Sequence, residues 1–125
     1  MDIHRSVTGV NPFPIVLTKD GSFPALLEIR TGDIFVYYCA FNSGTGLWEL
    51  VSRVSNDNGT TWTADGSETI ISTDILEGEI GASEFPTGRI FVTYWTLVVG
   101  VATKTYNFSD DAGVTWGNET AVSVT

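Results

Sequence analysis

The sequence predicts an all-β protein made of two similar units, each with four strands. Short runs of β-branched and aromatic residues alternate with turns rich in Gly, Asn, Asp and Ser, which is typical of antiparallel strands and hairpins. No window of the sequence shows a sustained helical period. One eight-residue pattern also occurs twice, with matching residues around both copies. The apolar content of 42% and the mean hydropathy of +0.12 favour a folded chain.

The repeated pattern is Ser-x-Asp-x-Gly-x-x-Trp, found at 55–62 and again 54 residues later at 109–116. An Asp carboxylate can accept hydrogen bonds from the amides of its own turn, and a Gly two residues later supplies a positive φ angle. The Trp is expected to close the hairpin by packing its ring beneath it. We therefore predict eight structural turn residues: Ser55, Asp57, Gly59, Trp62, Ser109, Asp111, Gly113 and Trp116.

The similarity of the two units extends beyond these turns. The segment 31–38 resembles 87–94, and 68–72 resembles 119–123. Each unit therefore has four predicted strands, which are Phe23–Ile29, Ile34–Phe41, Leu47–Val54 and Glu68–Thr73, then Ile80–Phe85, Ile90–Leu97, Val101–Phe108 and Glu119–Val124. The predicted organisation is an N-terminal segment at 1–18 with a strand at Pro14–Thr18, a first unit at 19–73 and a second unit at 74–125.

At this spacing, the pattern resembles the Asp-box (BNR) repeats of the sialidase-like β-propeller superfamily. The resemblance implies that each unit is a propeller blade and that the box is a structural turn on the face away from any active site. Closed propellers have about four to eight blades, and two alone would leave apolar faces uncovered. We therefore expect either a fragment or an assembly. A homotrimer with six blades is the favoured prediction, and a pentamer or a dimer is the alternative.

Composition excludes several classes of partner and site. The formal charge of −9 and a pI near 4.2 argue against binding to nucleic acid or to an anionic membrane, because both need a cationic face. No signal peptide or transmembrane segment is visible in the sequence, and the compartment stays unassigned. Cys39 is the single cysteine, so an intrachain disulfide is excluded. With one histidine, His4, and no complete calcium loop, we predict no metal and no cofactor.

Strand order predicts which loops lie together. The box turns share one end of each unit with the turn between its first two strands, and the remaining loops lie at the opposite end. The resemblance implies that a ligand binds at that opposite end. The candidate ligand-binding residues there are Asn42, Trp48, Asp74, Glu77 and Glu79, together with Lys19 and Asp20. Arg89 and Asp33 occupy equivalent turns at the box end, and we predict an ion pair between the two units there.

The function predicted from the resemblance is a non-catalytic propeller module that binds a glycan or a protein. A structural or vestigial propeller fragment with no ligand is the first alternative. A sialidase-type glycoside hydrolase built across subunits is the second. Such an enzyme needs three arginines around a carboxylate and a Tyr nucleophile. This chain has four arginines, Arg5, Arg30, Arg53 and Arg89, and no Arg-Ile-Pro motif, so no catalytic residue is assigned.

Overall fold

The computed structural model describes residues 24–64 and 66–122. Within them the chain is all-β, with no helix, and forms two four-stranded antiparallel sheets. The first sheet contains β1 (Ala25–Glu28), β2 (Ile34–Asn42), β3 (Leu47–Ser55) and β4 (Thr69–Thr73). The second contains β5 (Ile75–Glu84), β6 (Ile90–Val98), β7 (Val101–Ser109) and β8 (Thr120–Ala121). The predicted strand at Pro14–Thr18 and the candidates Lys19 and Asp20 lie outside the described residues.

Each sheet is an up-and-down meander in which consecutive strands are neighbours. The predicted four-strand order of each unit is therefore confirmed. Two boundary predictions are wrong. The last strand covers Thr120–Ala121 without Glu119 or Val122, and β5 begins at Ile75 and not at Ile80. Ile75 and Leu76 already pair with Thr96 and Trp95, and a register shift before Gly81 absorbs the extra residues. Most of the segment 74–79, predicted to be a loop, is consequently strand.

The core lies between the two sheets. The first sheet contributes the buried side chains of Phe35, Tyr37 and Cys39 from alternate positions of β2. Val92 and Tyr94, on alternate positions of β6, cover them from the second sheet. Since residues two apart on a strand share a face, these positions define the inner face of each sheet.

The outer faces of the two sheets differ. On the first sheet, Val36, Tyr38 and Val51 form a small buried cluster with Leu26, Ala40 and Trp62 packed against it. On the second sheet, four neighbouring rings form what we call the aromatic face, made of Phe85, Phe91, Tyr106 and Phe108. Phe85 is 44% exposed and the other three rings are half-buried. None of the four rings belongs to either buried cluster, and the Arg89 guanidinium lies over Phe108.

Candidate functional site

The first box turn holds its own backbone through Ser55 and Asp57. The Ser55 hydroxyl donates to Asp57 Oδ1 at 2.8 Å and accepts a hydrogen bond from the Gly59 amide at 2.8 Å. Asp57 Oδ1 also accepts from the amide of Thr61 at 2.8 Å, and its Oδ2 accepts from the hydroxyl of Thr61. Trp62 Nε1 donates to the carbonyl of Gly59 at 3.1 Å, which fixes the ring beneath the turn.

The second box turn repeats this network. Ser109 Oγ lies 2.7 Å from Asp111 Oδ1 and 2.9 Å from the Gly113 amide, and Trp116 Nε1 lies 3.0 Å from the Gly113 carbonyl. Gly59 and Gly113 have φ angles of 89° and 87°, as the turn prediction required. Sequence reasoning missed the threonine before each Trp, Thr61 or Thr115, whose amide and hydroxyl both donate to the Asp. Its presence in both copies was the available signal.

The two box carboxylates are held in their charged form. The pKa of Asp57 is lowered to about 2, first by the hydroxyl of Thr61 and then by the amide of Thr61. The pKa of Asp111 is likewise lowered to about 2 by Thr115. Hydrogen bonds to a carboxylate stabilise the ionised form, so neither group is suited to donate a proton at neutral pH. The boxes are therefore structural carboxylate turns.

The end of the molecule that carries the boxes also carries the first turn of each sheet, as strand order predicted. The predicted pair between Arg89 and Asp33 is wrong. The Arg89 guanidinium makes two hydrogen bonds, of 2.7 and 3.0 Å, to Asp110 in the same sheet and lies 4.0 Å from the centre of the Phe108 ring. Asp110 is the second residue of the box in the same sheet. Its carboxylate is therefore closer to Arg89 than that of Asp33, which lies on the other sheet.

The ion pair that joins the two sheets uses Arg30 and Glu84 instead. Arg30 Nε lies 3.4 Å from Glu84 Oε2, and the Arg30 amide donates to Glu84 Oε1 at 2.9 Å. The guanidinium also donates to the carbonyls of Phe85 and Pro86 at 3.1 and 2.7 Å. Arg30 therefore fastens the first turn of one sheet to the first turn of the other.

Arg53 is a structural residue on the outer face of the first sheet. Its side chain is 7% exposed, and Nε donates to the Tyr38 hydroxyl at 2.7 Å. Nη2 lies 3.7 Å from Glu68 Oε1. All three arginines of the described residues are thus engaged with protein groups.

At the opposite end, two candidate residues belong to the hairpin between β2 and β3. Asn42 Nδ2 donates to Glu49 Oε2 at 3.2 Å, and Oδ1 accepts from the amide of Gly44 at 2.9 Å. The side-chain amide of Asn42 therefore stabilises the turn of its own hairpin. Trp48 lies in β3, where its half-buried ring meets Phe41 edge to face at 5.4 Å between centroids.

The other candidates lie around the start of β5. Asp74 is the single residue between β4 and β5, has a φ of 60° and is exposed. Glu77 and Glu79 are exposed residues of β5 itself, and Glu79 Oε1 lies 3.8 Å from Lys104 Nζ. The Lys104 ammonium also lies 5.1 Å from the centre of the Trp95 ring. Neither Lys104 nor Trp95 was predicted from the sequence.

The candidates thus form two groups. Asn42 and Trp48 share one hairpin, whereas Glu79 joins Lys104 and Trp95 on the second sheet. Among the described residues, no hydrogen bond or ion pair connects the two groups. Burial raises the pKa of the intervening Cys39 thiol, and the nearby charge of Glu77 raises it further, so this cysteine is not an activated nucleophile.

A cavity of about 320 Å³ lies at the box end, between the first sheet and the second box turn. Ser52, Thr63 and Thr69 provide hydroxyl groups on one side, and Gly113 and Val114 close the other. The sequence placed no ligand here, since a space between two sheets depends on how closely they pack. No group of three or more His, Cys, Asp or Glu side chains with metal-binding geometry occurs in the part of the chain that the structure describes.

Compared with known proteins, the chain matches no family model and no curated protein sequence. Along residues 24–64 and 66–122, there is no helix long and apolar enough to cross a membrane.

Proposed function

We propose that this chain is a non-catalytic module of the sialidase-like β-propeller type that binds a glycan or a protein at the end opposite its boxes. The repeated Asp-box pattern and the two four-stranded meanders support the propeller assignment. The proposal extends to the assembly, in which three copies complete a closed ring of six blades. Each copy then supplies two sheets, and every sheet face has a neighbour.

The exposed carboxylates at the end opposite the boxes carry the proposal. At the box end, the carboxylates of Asp57, Asp111 and Asp110 are occupied by hydrogen bonds within the chain. At the opposite end, the carboxylates of Asp74 and Glu77 are exposed and make no hydrogen bond to a described residue. Exposed acceptors suit a ligand rich in hydroxyl groups.

Asp74, Glu77 and Glu79 form the part of that end with the most suitable chemistry, because all three side chains are exposed. Their carboxylate oxygens can accept hydrogen bonds from sugar hydroxyls, whereas Trp95 and Lys104 lie on the outer face of the second sheet, which another copy covers in the ring. Trp48 offers a half-buried ring at the same end, on the first sheet. A glycan is therefore the first ligand class to test.

The arginines argue against the hydrolase alternative. Arg30, Arg53 and Arg89 are each paired with a carboxylate of the same chain, so a substrate carboxylate would have to displace an existing partner. Purified protein is expected to release no sialic acid from a fluorogenic sialoside. Steady turnover that disappears in Arg53→Met would contradict the non-catalytic proposal.

Binding is tested on a glycan array with the full chain. Glu77→Gln and Glu79→Gln are expected to lose at least tenfold in affinity for any glycan the wild type retains. Thr61→Val, at the box end, is the matched control and is expected to bind as the wild type does. Equal binding by both glutamine variants and the wild type would contradict the assigned end.

A further inference from the structure

We propose that the aromatic face of the second sheet binds the first sheet of a second copy of this chain, with that copy's first box turn seated on Phe91. The inference rests on the ring assembly proposed above and names the contact that would build it. It is a head-to-tail contact between two different surfaces, so it can repeat from copy to copy.

The contact between the two sheets within one chain is the model for the proposed contact between two copies. Phe35, on the inner face of the first sheet, lies against Gly113 of the second box. A Cβ atom at Gly113 would lie only 2.9 Å from Cε1 and Cζ of the Phe35 ring. In the repeat alignment, Phe35 corresponds to Phe91 and Gly113 corresponds to Gly59. The same pair is thus available between two copies.

The aromatic face has the bulk of the buried face to which it corresponds. Tyr37 pairs directly with Ser52 across β2 and β3, and the corresponding neighbours on β6 and β7 are Thr93 and Tyr106. In the first sheet the large ring is on β2 and the small hydroxyl side chain is on β3. In the second sheet the ring is on β7 and the small side chain is on β6, so the total side-chain volume of the pair is nearly the same. Tyr37 is 0% exposed, whereas Tyr106 is half-buried. The greater exposure of Tyr106 is expected if the sheet that would cover it belongs to another copy of the chain.

The receiving side has an open place for this contact. Among the described residues, no heavy atom lies within 4 Å of the Cβ position at Gly59, whereas Gly113 is buried. A phenyl ring from another copy therefore has room beside Gly59.

A buried acceptor on the same sheet is a second observation. Glu68 Oε1 is buried and lies 3.7 Å from Arg53 Nη2, an ion-pair distance at which no hydrogen bond to a described residue forms. Its counterpart Glu119 accepts hydrogen bonds from the hydroxyls of Tyr94 and Ser72. Ser72 belongs to the other sheet, so this site is filled across a sheet interface. By analogy, a docked copy can supply Glu68 Oε1 with a hydrogen-bond donor in addition to its ion pair with Arg53.

Thiol crosslinking of a double cysteine variant tests the contact directly. Thr69 and Val114 line the same cavity between the two sheets, and their counterparts in the repeats are Thr120 and Thr60. Thr60 and Thr120 are both exposed, so cysteine is tolerated at each. A full chain carrying Thr60→Cys and Thr120→Cys, treated with a short bifunctional maleimide, is expected to give a ladder of covalent multimers. Each single variant is expected to stay monomeric on the gel.

The mass in solution provides the second measurement. Tyr106→Arg places a charge in the aromatic face and is expected to reduce the scattering mass to that of one 13.5 kDa chain, with unchanged circular dichroism. Val99→Arg is the control, because Val99 is 97% exposed in the turn between β6 and β7, and it is expected to assemble as the wild type does.

Each outcome decides for or against the contact. A ladder that ends at three chains, together with a monomeric Tyr106→Arg, supports it. A wild type of 13.5 kDa at micromolar concentration overturns it, and so does an assembled wild type without crosslinks or with an assembled Tyr106→Arg variant. Glycan binding is measured separately on the wild type. Binding by a wild type that stays a single chain would leave the ligand proposal standing while the docking proposal fails.

Discussion

The two box hairpins have the same internal hydrogen bonds but different surroundings. In both, a Ser, an Asp and a Thr hold the turn, and a Trp Nε1 donates to the carbonyl of the turn glycine. The second hairpin lies in the main core, where Trp116 meets Tyr37 edge to face at 6.2 Å between centroids. Trp62 of the first hairpin packs against the smaller outer cluster around Val36. A locally encoded turn can therefore serve different packing roles.

The largest expected effect is the loss of either tryptophan ring. Trp116→Ala is expected to lower the free energy of unfolding by about 3–5 kcal/mol, because the ring packs against the core that joins the sheets. Trp62→Ala is expected to cost less, since the cluster beneath it is smaller. Urea unfolding followed by circular dichroism measures both, in a Tyr106→Arg background so that assembly contributes nothing. Equal losses would remove the energetic difference between the hairpins.

The two turn glycines provide the next test, since they differ in surroundings at nearly the same φ. Alanine at either position is expected to cost about 1–2 kcal/mol from the left-handed backbone alone. At Gly113 the new methyl group also meets the Phe35 ring, which adds about 1–3 kcal/mol of overpacking. Gly59→Ala in the same monomeric background shows the backbone cost by itself. A smaller loss for Gly113→Ala than for Gly59→Ala would contradict the observed packing.

Acid should affect the two turns equally, because their hydrogen bonds are the same. The folded pKa of Asp57 and of Asp111 is about 2, below the ordinary value of 3.8. Stability from each carboxylate is therefore fully present above pH 4 and is lost as pH falls towards 2. Thr61→Val and Thr115→Val remove the hydroxyl that lowers each pKa most, so both variants should begin to unfold at higher pH. Melting temperatures between pH 5 and pH 2 measure this, and a shift in only one variant would show that the turns are not equivalent.

Local chemistry explains why the turns were predictable. The roles of Asp57, Gly59 and Trp62 depend on atoms within eight residues of one another, so the motif contains the whole interaction set. Strand positions followed for a similar reason, since β-branched and aromatic runs between turn residues mark strands without knowledge of their partners. The largest exception was β5, whose early start depends on pairing with Thr96 and Trp95.

The candidate ligand residues were less predictable, because their neighbours come from other strands. Asn42 was selected as an exposed polar loop residue, but its side chain is used within its own hairpin. Glu79 was selected as part of a loop, yet it lies on β5 and is close to Lys104 across the sheet. The contact of Lys104 with Trp95 joins β7 to β6, and no short motif records it.

From residue types and spacing alone it could be predicted that this protein is all-β, that it has two four-stranded units and that a Ser-Asp-Gly-Trp turn joins the last two strands of each unit. Three contacts became visible only in the folded chain: Arg89 pairs with Asp110, Arg30 and Glu84 join the sheets, and Gly113, unlike Gly59, lies against a phenylalanine ring. The physical reason is the distance along the chain between the residues that interact. A turn is specified by hydrogen bonds among near neighbours, whereas the partner of a sheet face depends on which distant surface covers it.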